Sequence, residues 1–166
     1  MDVALEINVL AAELVAMLQA QGKTFAAAES CTGGAISQAV TSVPGCSSVM
    51  RGAVVAYHND VKASVLGVGG DTLSEYGAVS EEVVIQMVGG VSAMLGADCA
   101  VATSGIAGPG GGTPEKPVGT VWVAAKVGTD IRTRLLQLED AGRAANVKSC
   151  VAEALRLVLD MLSCAE

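Results

Sequence analysis

The stretch Thr-Phe-Ala-Ala-Ala-Glu-Ser-Cys-Thr-Gly-Gly-Ala-Ile-Ser-Gln-Ala-Val, residues 24–40, decides the fold class of this chain. Its beginning, Thr24–Ala28, predicts a short buried strand. Ser30, Thr32 and two glycines then precede Ala35–Val40, which we predict to be a helix because hydroxyl residues commonly stand at a helix start. A strand that turns directly into a helix is typical of α/β proteins.

The rest of the chain continues this alternation of helices and strands. Upstream, apolar residues at spacings of four and three predict an amphipathic helix that ends at Gly22; they are Val3, Ile7, Leu10, Leu14 and Met17. Downstream we predict, in order, strand Gly52–Tyr57, a polar segment His58–Lys62, helix Ser80–Leu95, strand Asp98–Thr103, loop Ser104–Pro117, strands Val118–Val127 and Ile131–Leu138 joined by a turn, and helix Ala144–Leu162. This order predicts an α/β fold, a three-layer α/β/α sandwich with a mixed, mostly parallel sheet, in a single domain over residues 1–166.

The composition predicts a core of small side chains. Of 166 residues, 51% are hydrophobic but only 2% are aromatic, so the backbones of packed elements must approach closely. A chain of this length buries roughly two thirds of its unfolded surface and needs neither a disulfide nor a structural metal. The five cysteines are odd in number and form no C-x-x-C pair, which argues against a disulfide framework and a zinc site.

The charge and the N-terminal sequence limit the partners we expect. The formal net charge is −7 without any basic block, so we expect no nucleic-acid partner, although a few local donors can still bind a small anion. No apolar run approaches the ~18–20 residues of a membrane span, and Asp2 and Glu6 stand where a signal peptide would be basic. We expect a cytoplasmic protein that contacts no membrane. The first helix is either a core helix or an oligomer contact, and we expect a homo-oligomer.

Three segments are expected at the carboxyl ends of the strands, where open α/β sheets place their ligands. In the first, Glu29–Gly34, a serine hydroxyl stands at a helix start among backbone N–H groups that favour negative charge. Ser30 is therefore a candidate nucleophile with an oxyanion hole beside it. The alternative is that Ser30 or Thr32 only caps the helix.

The second segment, Tyr57–Lys62, brings several proton-transfer groups together after a predicted strand. A lysine whose pKa is lowered by burial can act as a base toward a serine, and a tyrosine hydroxyl can relay the proton. The alternative is an Asn-Asp turn with a solvated lysine. His58 is the chain's only histidine and the conventional rival for the base, although a single histidine is more often a surface residue than a catalyst.

The third segment is the glycine-rich stretch Gly105–Thr113 within Thr103–Thr120. Its small residues can turn successive N–H groups inward as an anion nest that phosphate approaches closely. A flexible loop is the alternative, which three prolines in the same stretch make less attractive.

Together these segments resemble the C-terminal domain of the competence/damage-inducible protein CinA, a family whose members are nicotinamide mononucleotide deamidases. The matching motifs run from about residue 10 to residue 163 and are Ala28–Gly34, Val43–Gly45, Val54–Tyr57 with Asn59 and Lys62, Gly77–Ser80 and Gly105–Val121. This chain departs from the family at Ser104, where a threonine is usual. It also has Val147 where relatives commonly carry a second arginine four residues after Arg143, and Lys148 is the nearest substitute.

The resemblance implies hydrolysis of the carboxamide of nicotinamide mononucleotide to nicotinate mononucleotide and ammonia, in pyridine-nucleotide salvage, with no metal and no cofactor. It implies that Ser30 is the nucleophile, that Lys62 is the base and that Tyr57 positions or relays the proton. The implied substrate-binding residues are Cys31, Thr32, Gly33, Ser104, Gly105, Ala107, Gly108, Gly110, Gly111, Thr113 and Arg143. The ribose phosphate is expected against the glycine-rich nest, with Arg143 as its charged clamp.

Two other functions stay open at the level of sequence. One is a non-catalytic nucleotide-binding or interaction domain that keeps the fold and works through a partner. The other is hydrolysis of the amide of a different small substrate. Which of the hydroxyls of Ser30, Thr32 and Ser104 attacks also stays open.

Overall fold

The computed structural model describes residues 2–164, in which helices cover both faces of one five-stranded sheet. The elements in chain order are α1 Val3–Gln21, β1 Phe25–Glu29, α2 Ala35–Thr41, a 3-10 turn Cys46–Ser48, β2 Met50–Val55, α3 Asn59–Ser64, α4 Gly70–Tyr76, α5 Glu81–Leu95, β3 Cys99–Gly105, β4 Thr120–Val127, β5 Asp130–Gln137 and α6 Arg143–Ser163. The predicted α/β sandwich is confirmed.

The sheet has the strand order β2-β1-β3-β4-β5. Strand β1 runs parallel to both β2 and β3, whereas β3 and β4, and β4 and β5, pair antiparallel. Only β4 therefore points against the other four strands, which is the mixed, mostly parallel sheet that we predicted. The predicted hairpin joins β4 to β5, where Val127 pairs with Asp130 across a two-residue turn.

Side chains of the central strands alternate between two cores. Phe25 and Ala27 face the layer of α1, α2 and α6, whereas Ala26 and Ala28 face the layer of α5. The small residues permit close approach, as expected from the composition. A Cβ at Gly90 of α5 would lie 2.0 Å from the carbonyl oxygen of Leu66, so only glycine fits there.

The local signals for the ends of the long helices are confirmed. Gly22 ends α1 in the left-handed region at φ 63°, and the Ser80 hydroxyl caps α5 by accepting a hydrogen bond from Val83 N at 3.4 Å. Two short helices were not predicted, since α3 and α4 have only six and seven residues and show no full apolar repeat. The polar segment His58–Lys62 thus belongs largely to α3.

Strand boundaries differ from the predictions by one or two residues. β2 ends at Val55, because Ala56 and Tyr57 already belong to the connection that leads to α3. The predicted loop Ser104–Pro117 begins later than expected, because Ser104 and Gly105 still pair with β4.

The prediction that no apolar run approaches the length of a membrane span is wrong for helix α1. The helix has 19 residues, and an 18-residue window of it has a mean hydropathy of 1.6, which would suffice to cross a bilayer by length and composition alone. The core helix of a folded domain meets the same criteria. Here α1 packs on α6, buries Leu14 and Leu18, and pairs its Glu6 with Arg156 of α6.

Candidate active site

The three segments singled out in the sequence follow β1, β2 and β3, which are neighbouring parallel strands. Their carboxyl ends therefore lie at the same edge of the sheet. The turn after β1 carries Ser30, the connection after β2 leads into α3 with Lys62, and the glycine-rich loop follows β3.

The amine of Lys62 contacts the hydroxyl of Ser30. Lys62 lies in the last turn of the short helix α3 and is 1% exposed, while Ser30 is 8% exposed. Lys62 Nζ lies 3.0 Å from Ser30 Oγ, and it donates to the carbonyl oxygens of Ala56 at 2.8 Å and Tyr57 at 3.1 Å. The interpretation of Lys62 as a solvated surface lysine is therefore wrong.

Burial lowers the pKa of Lys62 from the 10.5 of an exposed lysine, because a charged amine loses its hydration. The nearby Cys31 opposes this shift. A neutral amine has two N–H donors and one lone pair. In the structure Lys62 Nζ donates to all three oxygens; in the neutral amine two N–H groups remain for the carbonyls, and the lone pair is left to accept the Ser30 hydroxyl hydrogen.

Helix α2 is not capped by either of the predicted hydroxyls. Its N-cap residue is Gly34, which provides no side chain, and the N–H groups of Ile36 and Ser37 donate instead to the carboxylate of Glu29. The alternative that Ser30 or Thr32 merely caps the helix is therefore wrong. Thr32 Oγ1 itself donates to Glu29 Oε1 at 2.8 Å.

The turn between β1 and α2 leaves backbone donors free near Ser30. Within residues 2–164, the N–H groups of Cys31, Thr32 and Gly34 donate no hydrogen bond, whereas Gly33 N donates to Ser30 O at 3.1 Å. Free amides beside a nucleophile are the groups that an oxyanion hole requires.

Of the three candidate hydroxyls, Ser30 is the one that contacts Lys62. The hydroxyl of Thr32 is committed to Glu29, and that of Ser104 donates to the carbonyl oxygen of Ala78 at 2.7 Å. Ser104 is 1% exposed and lies in β3 beside the end of β1.

Tyr57 contributes to the site through two different atoms. Its carbonyl oxygen accepts from Lys62 Nζ, while its hydroxyl accepts from Arg143 Nη2 at 2.8 Å. The exposed guanidinium of Arg143, at the start of α6, also donates through Nη1 to Gly108 O at 2.8 Å. Arg143 therefore bridges the β2–α3 connection and the glycine-rich loop.

The glycine-rich loop keeps several amides free. Within the described part of the chain, the N–H groups of Ala107, Gly108, Gly110 and Gly111 donate no hydrogen bond, and Ala107 and Gly108 are buried. Thr113 instead closes a local turn, with its N donating to Lys116 O at 2.9 Å. The loop packs tightly, since a Cβ at Gly108, whose φ is +87°, would lie 2.6 Å from a methyl group of Val118.

The side chain of Cys31 packs in the core and makes no hydrogen bond to Ser30 or Lys62. Its side chain belongs to the core beneath α1, α2 and α6. The pKa of Cys31 is lowered from 9.0, chiefly by a hydrogen bond from the thiol of Cys150, and burial opposes the shift. The five cysteines are all free.

His58 lies outside the hydrogen-bonded site. It caps α3, where Nδ1 accepts from Asp60 N at 3.2 Å, and 75% of its side chain is exposed. A groove of about 640 Å³ between α1, α2 and α6 includes Arg143 but none of Ser30, Tyr57 and Lys62. Its lining is mainly apolar, and its one hydroxyl, that of Ser42, donates to the carbonyl oxygen of Gln38 and not to an amine.

Sequence reasoning assigned no role to three buried polar residues around the site. Glu29 holds the turn and α2, and Asn146 Nδ2 donates to Ala107 O at 3.0 Å, which tethers the glycine-rich loop. The hydroxyl of Thr120 is buried without a partner within residues 2–164. Asn146 is detectable in principle, because it interrupts the apolar stripe of α6 four residues before Cys150.

Comparison with known proteins connects this arrangement to curated relatives. CinA-like proteins of Thermotoga maritima and Cytophaga hutchinsonii are 57% identical over 66% of this chain and 47% identical over 86% of it. These alignments cover 27% and 34% of the two relatives, so the chain spans about a quarter to a third of their length.

Solved structures match over nearly the whole chain. The competence/damage inducible protein CihA from Agrobacterium tumefaciens is 40% identical with a TM-score of 0.92, over 95% of this chain and 96% of that one. A CinA superfamily protein from Klebsiella pneumoniae is 33% identical with a TM-score of 0.91, over 95% of this chain and 98% of that one. The profile of the CinA C-terminal domain matches residues 7–162. The chain therefore belongs to the CinA C-terminal domain family.

Proposed function

We propose that this domain hydrolyses the carboxamide of nicotinamide mononucleotide, with Ser30 as the nucleophile and Lys62 as the base. The observation that carries the proposal is the buried Lys62 amine, 3.0 Å from Ser30 Oγ and 1% exposed. A serine alcohol is a weak nucleophile until a neighbouring group removes its proton. A lysine supplies that group when desolvation keeps part of it neutral.

The chemistry balances with water as the only co-substrate. Neutral Lys62 takes the Ser30 hydroxyl proton while Oγ attacks the amide carbon, and the resulting oxyanion is stabilised by free amides of the turn. Protonated Lys62 then gives its proton to the departing nitrogen, and ammonia leaves an ester on Ser30. Water, deprotonated by Lys62, attacks this ester, and the proton returns to Ser30 as nicotinate mononucleotide is released.

Binding of the ribose phosphate is assigned to the glycine-rich loop and Arg143. The free amides of the loop are suitable donors to a phosphate, and a protein of charge −7 needs such local donors to hold an anion. Arg143 adds an exposed cation, whose present partners, Gly108 O and the Tyr57 hydroxyl, are neutral groups that a phosphate can replace. Tyr57 acts in this proposal as a positioning group for Lys62 and Arg143.

The test is release of ammonia from nicotinamide mononucleotide by the purified chain. We expect turnover by the wild type, none by Ser30→Ala, and an ester adduct on the Ser30 peptide after rapid acid quenching, detected by mass spectrometry. Ser42→Ala, which removes the exposed hydroxyl at the C-terminal end of α2, is the matched control and retains the wild-type rate.

Other results would select the alternatives. Binding of nicotinamide mononucleotide without ammonia release indicates a non-catalytic nucleotide-binding domain. Ammonia release from other members of a panel of small amides, but not from the mononucleotide, keeps the Ser30–Lys62 chemistry and replaces the substrate.

A further inference from the structure

Glu29, the last residue of β1, is a buried carboxylate next to the proposed nucleophile. It is 0% exposed. Its Oε1 accepts from Ile36 N at 2.7 Å and Thr32 Oγ1 at 2.8 Å, and its Oε2 accepts from Ser37 N at 3.1 Å and Ser37 Oγ at 2.8 Å. A carboxylate offers about four lone-pair sites, and these four contacts occupy them, with the Ser37 hydroxyl shared between Glu29 Oε2 and the Gly34 carbonyl oxygen at 2.9 Å.

The two ends of this network hold different parts of the chain. Ile36 and Ser37 belong to α2, whereas Thr32 belongs to the turn that carries Ser30. The Thr32 hydroxyl has one hydrogen, which it gives to Glu29, so Thr103 donates to Thr32 across their 2.9 Å contact. The turn is thereby fastened to β1, β3 and α2 at once.

Glu29 also decides which backbone donors remain for the reaction. It takes the first free N–H groups of α2, so the positive end of that helix is compensated within the protein. The donors left beside Ser30 are the amides of Cys31, Thr32 and Gly34. Their direction depends on the conformation of the turn, which Glu29 holds through Thr32.

We propose that Glu29 is a positioning residue, whose carboxylate sets the direction of the Ser30 hydroxyl and of the free turn amides without touching the substrate. This role rests on the proposed hydrolysis. It differs from a general contribution to folding because the Glu29 network has a turn side, Thr32, and a helix side, Ser37, that can be cut separately.

Glu29→Gln is the first test. In either orientation of its amide, glutamine turns an N–H group toward the N–H of Ile36 or of Ser37, so the turn shifts. We expect kcat to fall by about 10- to 100-fold, as displacements of reacting groups typically do, with KM nearly unchanged. The pH at which the rate rises should stay the same, because the contacts of Lys62 with Ala56 and Tyr57 are not altered.

The paired variants Thr32→Val and Ser37→Ala each remove one hydroxyl donor from the same carboxylate. We expect Thr32→Val to lower kcat as Glu29→Gln does, Thr32→Ser to restore it, and Ser37→Ala to keep it near the wild-type value. Because this pair is milder than the change at Glu29, it decides the question if Glu29→Gln does not fold, as judged by circular dichroism.

The outcomes distinguish a failure of the proposed hydrolysis from a failure of the positioning role of Glu29. An inactive wild type overturns the hydrolysis itself. An active wild type with inactive Ser30→Ala, but with Glu29→Gln or Thr32→Val at full kcat, overturns the positioning role alone. Equal losses in Thr32→Val, Thr32→Ser and Ser37→Ala, in step with lowered melting temperatures, also overturn it, because they indicate a role in stability only.

Discussion

Replacing Lys62 by methionine tests whether its amine is the base of the reaction. Methionine keeps an unbranched stem in the buried site but has no donor, so the variant loses the contacts of Nζ with Ser30, Ala56 and Tyr57. Loss of a general base typically costs about 10²–10⁴-fold in rate. At about 1.36 kcal/mol per tenfold, this is about 3–5 kcal/mol of activation free energy.

The effect on the free energy of unfolding is the sum of two opposing changes. The carbonyl oxygen of Ala56 loses its Lys62 donor, and a buried polar group without a partner costs about 1–3 kcal/mol. The variant also no longer has to bury an amine, which is the cause of the lowered pKa of Lys62. We therefore expect a folded protein whose activity falls far more than its stability.

The lowered pKa of Lys62 determines how the free energy of unfolding and the rate of hydrolysis change with pH. Below the lowered pKa of Lys62, the lysine is protonated in both the folded and the unfolded chain. Between that pKa and 10.5 the unfolded chain binds more protons, so the free energy of unfolding rises with pH across this window. The rate of hydrolysis rises with pH as Lys62 loses its proton. In Lys62→Met we expect neither the increase in the free energy of unfolding nor the increase in rate.

The assay follows ammonia release and urea unfolding of the wild type and Lys62→Met as a function of pH. Lys62→Arg retains a charge that is not lost in this range, so it should be as inactive as the methionine variant. His58→Ala is the control from the same connection, since the exposed side chain of this histidine bonds to neither Ser30 nor Lys62, and its backbone carbonyl, which accepts from Lys62 N, is retained in the variant. A folded Lys62→Met protein that keeps the rise of rate with pH, or an inactive His58→Ala, would refute the assignment of the base.

Three further predictions concern the surroundings of the reacting pair. Cys31→Ala should keep most of the rate of ammonia release, because its side chain faces the core; loss of nearly all activity in a folded variant would move the nucleophile to sulfur. Arg143→Ala should raise KM about tenfold or more, as expected for a lost hydrogen bond to a charged group, and a fall in kcat at unchanged KM would contradict the clamp. Asn146→Ala should lower the free energy of unfolding in urea by about 1–3 kcal/mol, because it leaves the buried Ala107 carbonyl without its donor, and an unchanged midpoint would show that the tether contributes nothing.

Features that depend on neighbouring residues could be predicted from the sequence. The long helices, the end of α1 at Gly22, the start of α5 next to Ser80, and the turn between β4 and β5 each arise from a local pattern. The same patterns, in their order along the chain, were sufficient to predict the layers and the mixed sheet. Where the pattern is too short to repeat, as in α3 and α4, the helices were missed.

The site depended on tertiary structure to a greater degree. Local pattern placed Ser30 after one strand and Lys62 after another, but it left open whether the lysine is solvated. The parallel pairing of β1 and β2 brings residues 32 positions apart into contact, and the connection between β2 and α3 supplies the two carbonyls that the buried amine contacts. Burial and register are properties of the packed chain, so the lowered pKa of Lys62 could not be predicted from its neighbours in sequence.

Glu29 is the clearest example of a residue whose role depends on the tertiary structure and not on its neighbours in sequence. In the sequence it is an acidic residue beside a serine, and nothing local distinguishes it from a solvated side chain. In the fold it accepts from both the turn and α2, because the last residue of β1 lies under the start of the helix that follows. Sequence alone thus determined the elements and the chemical groups available, whereas the hydrogen bonds between elements, which require their relative placement, decided what each group does.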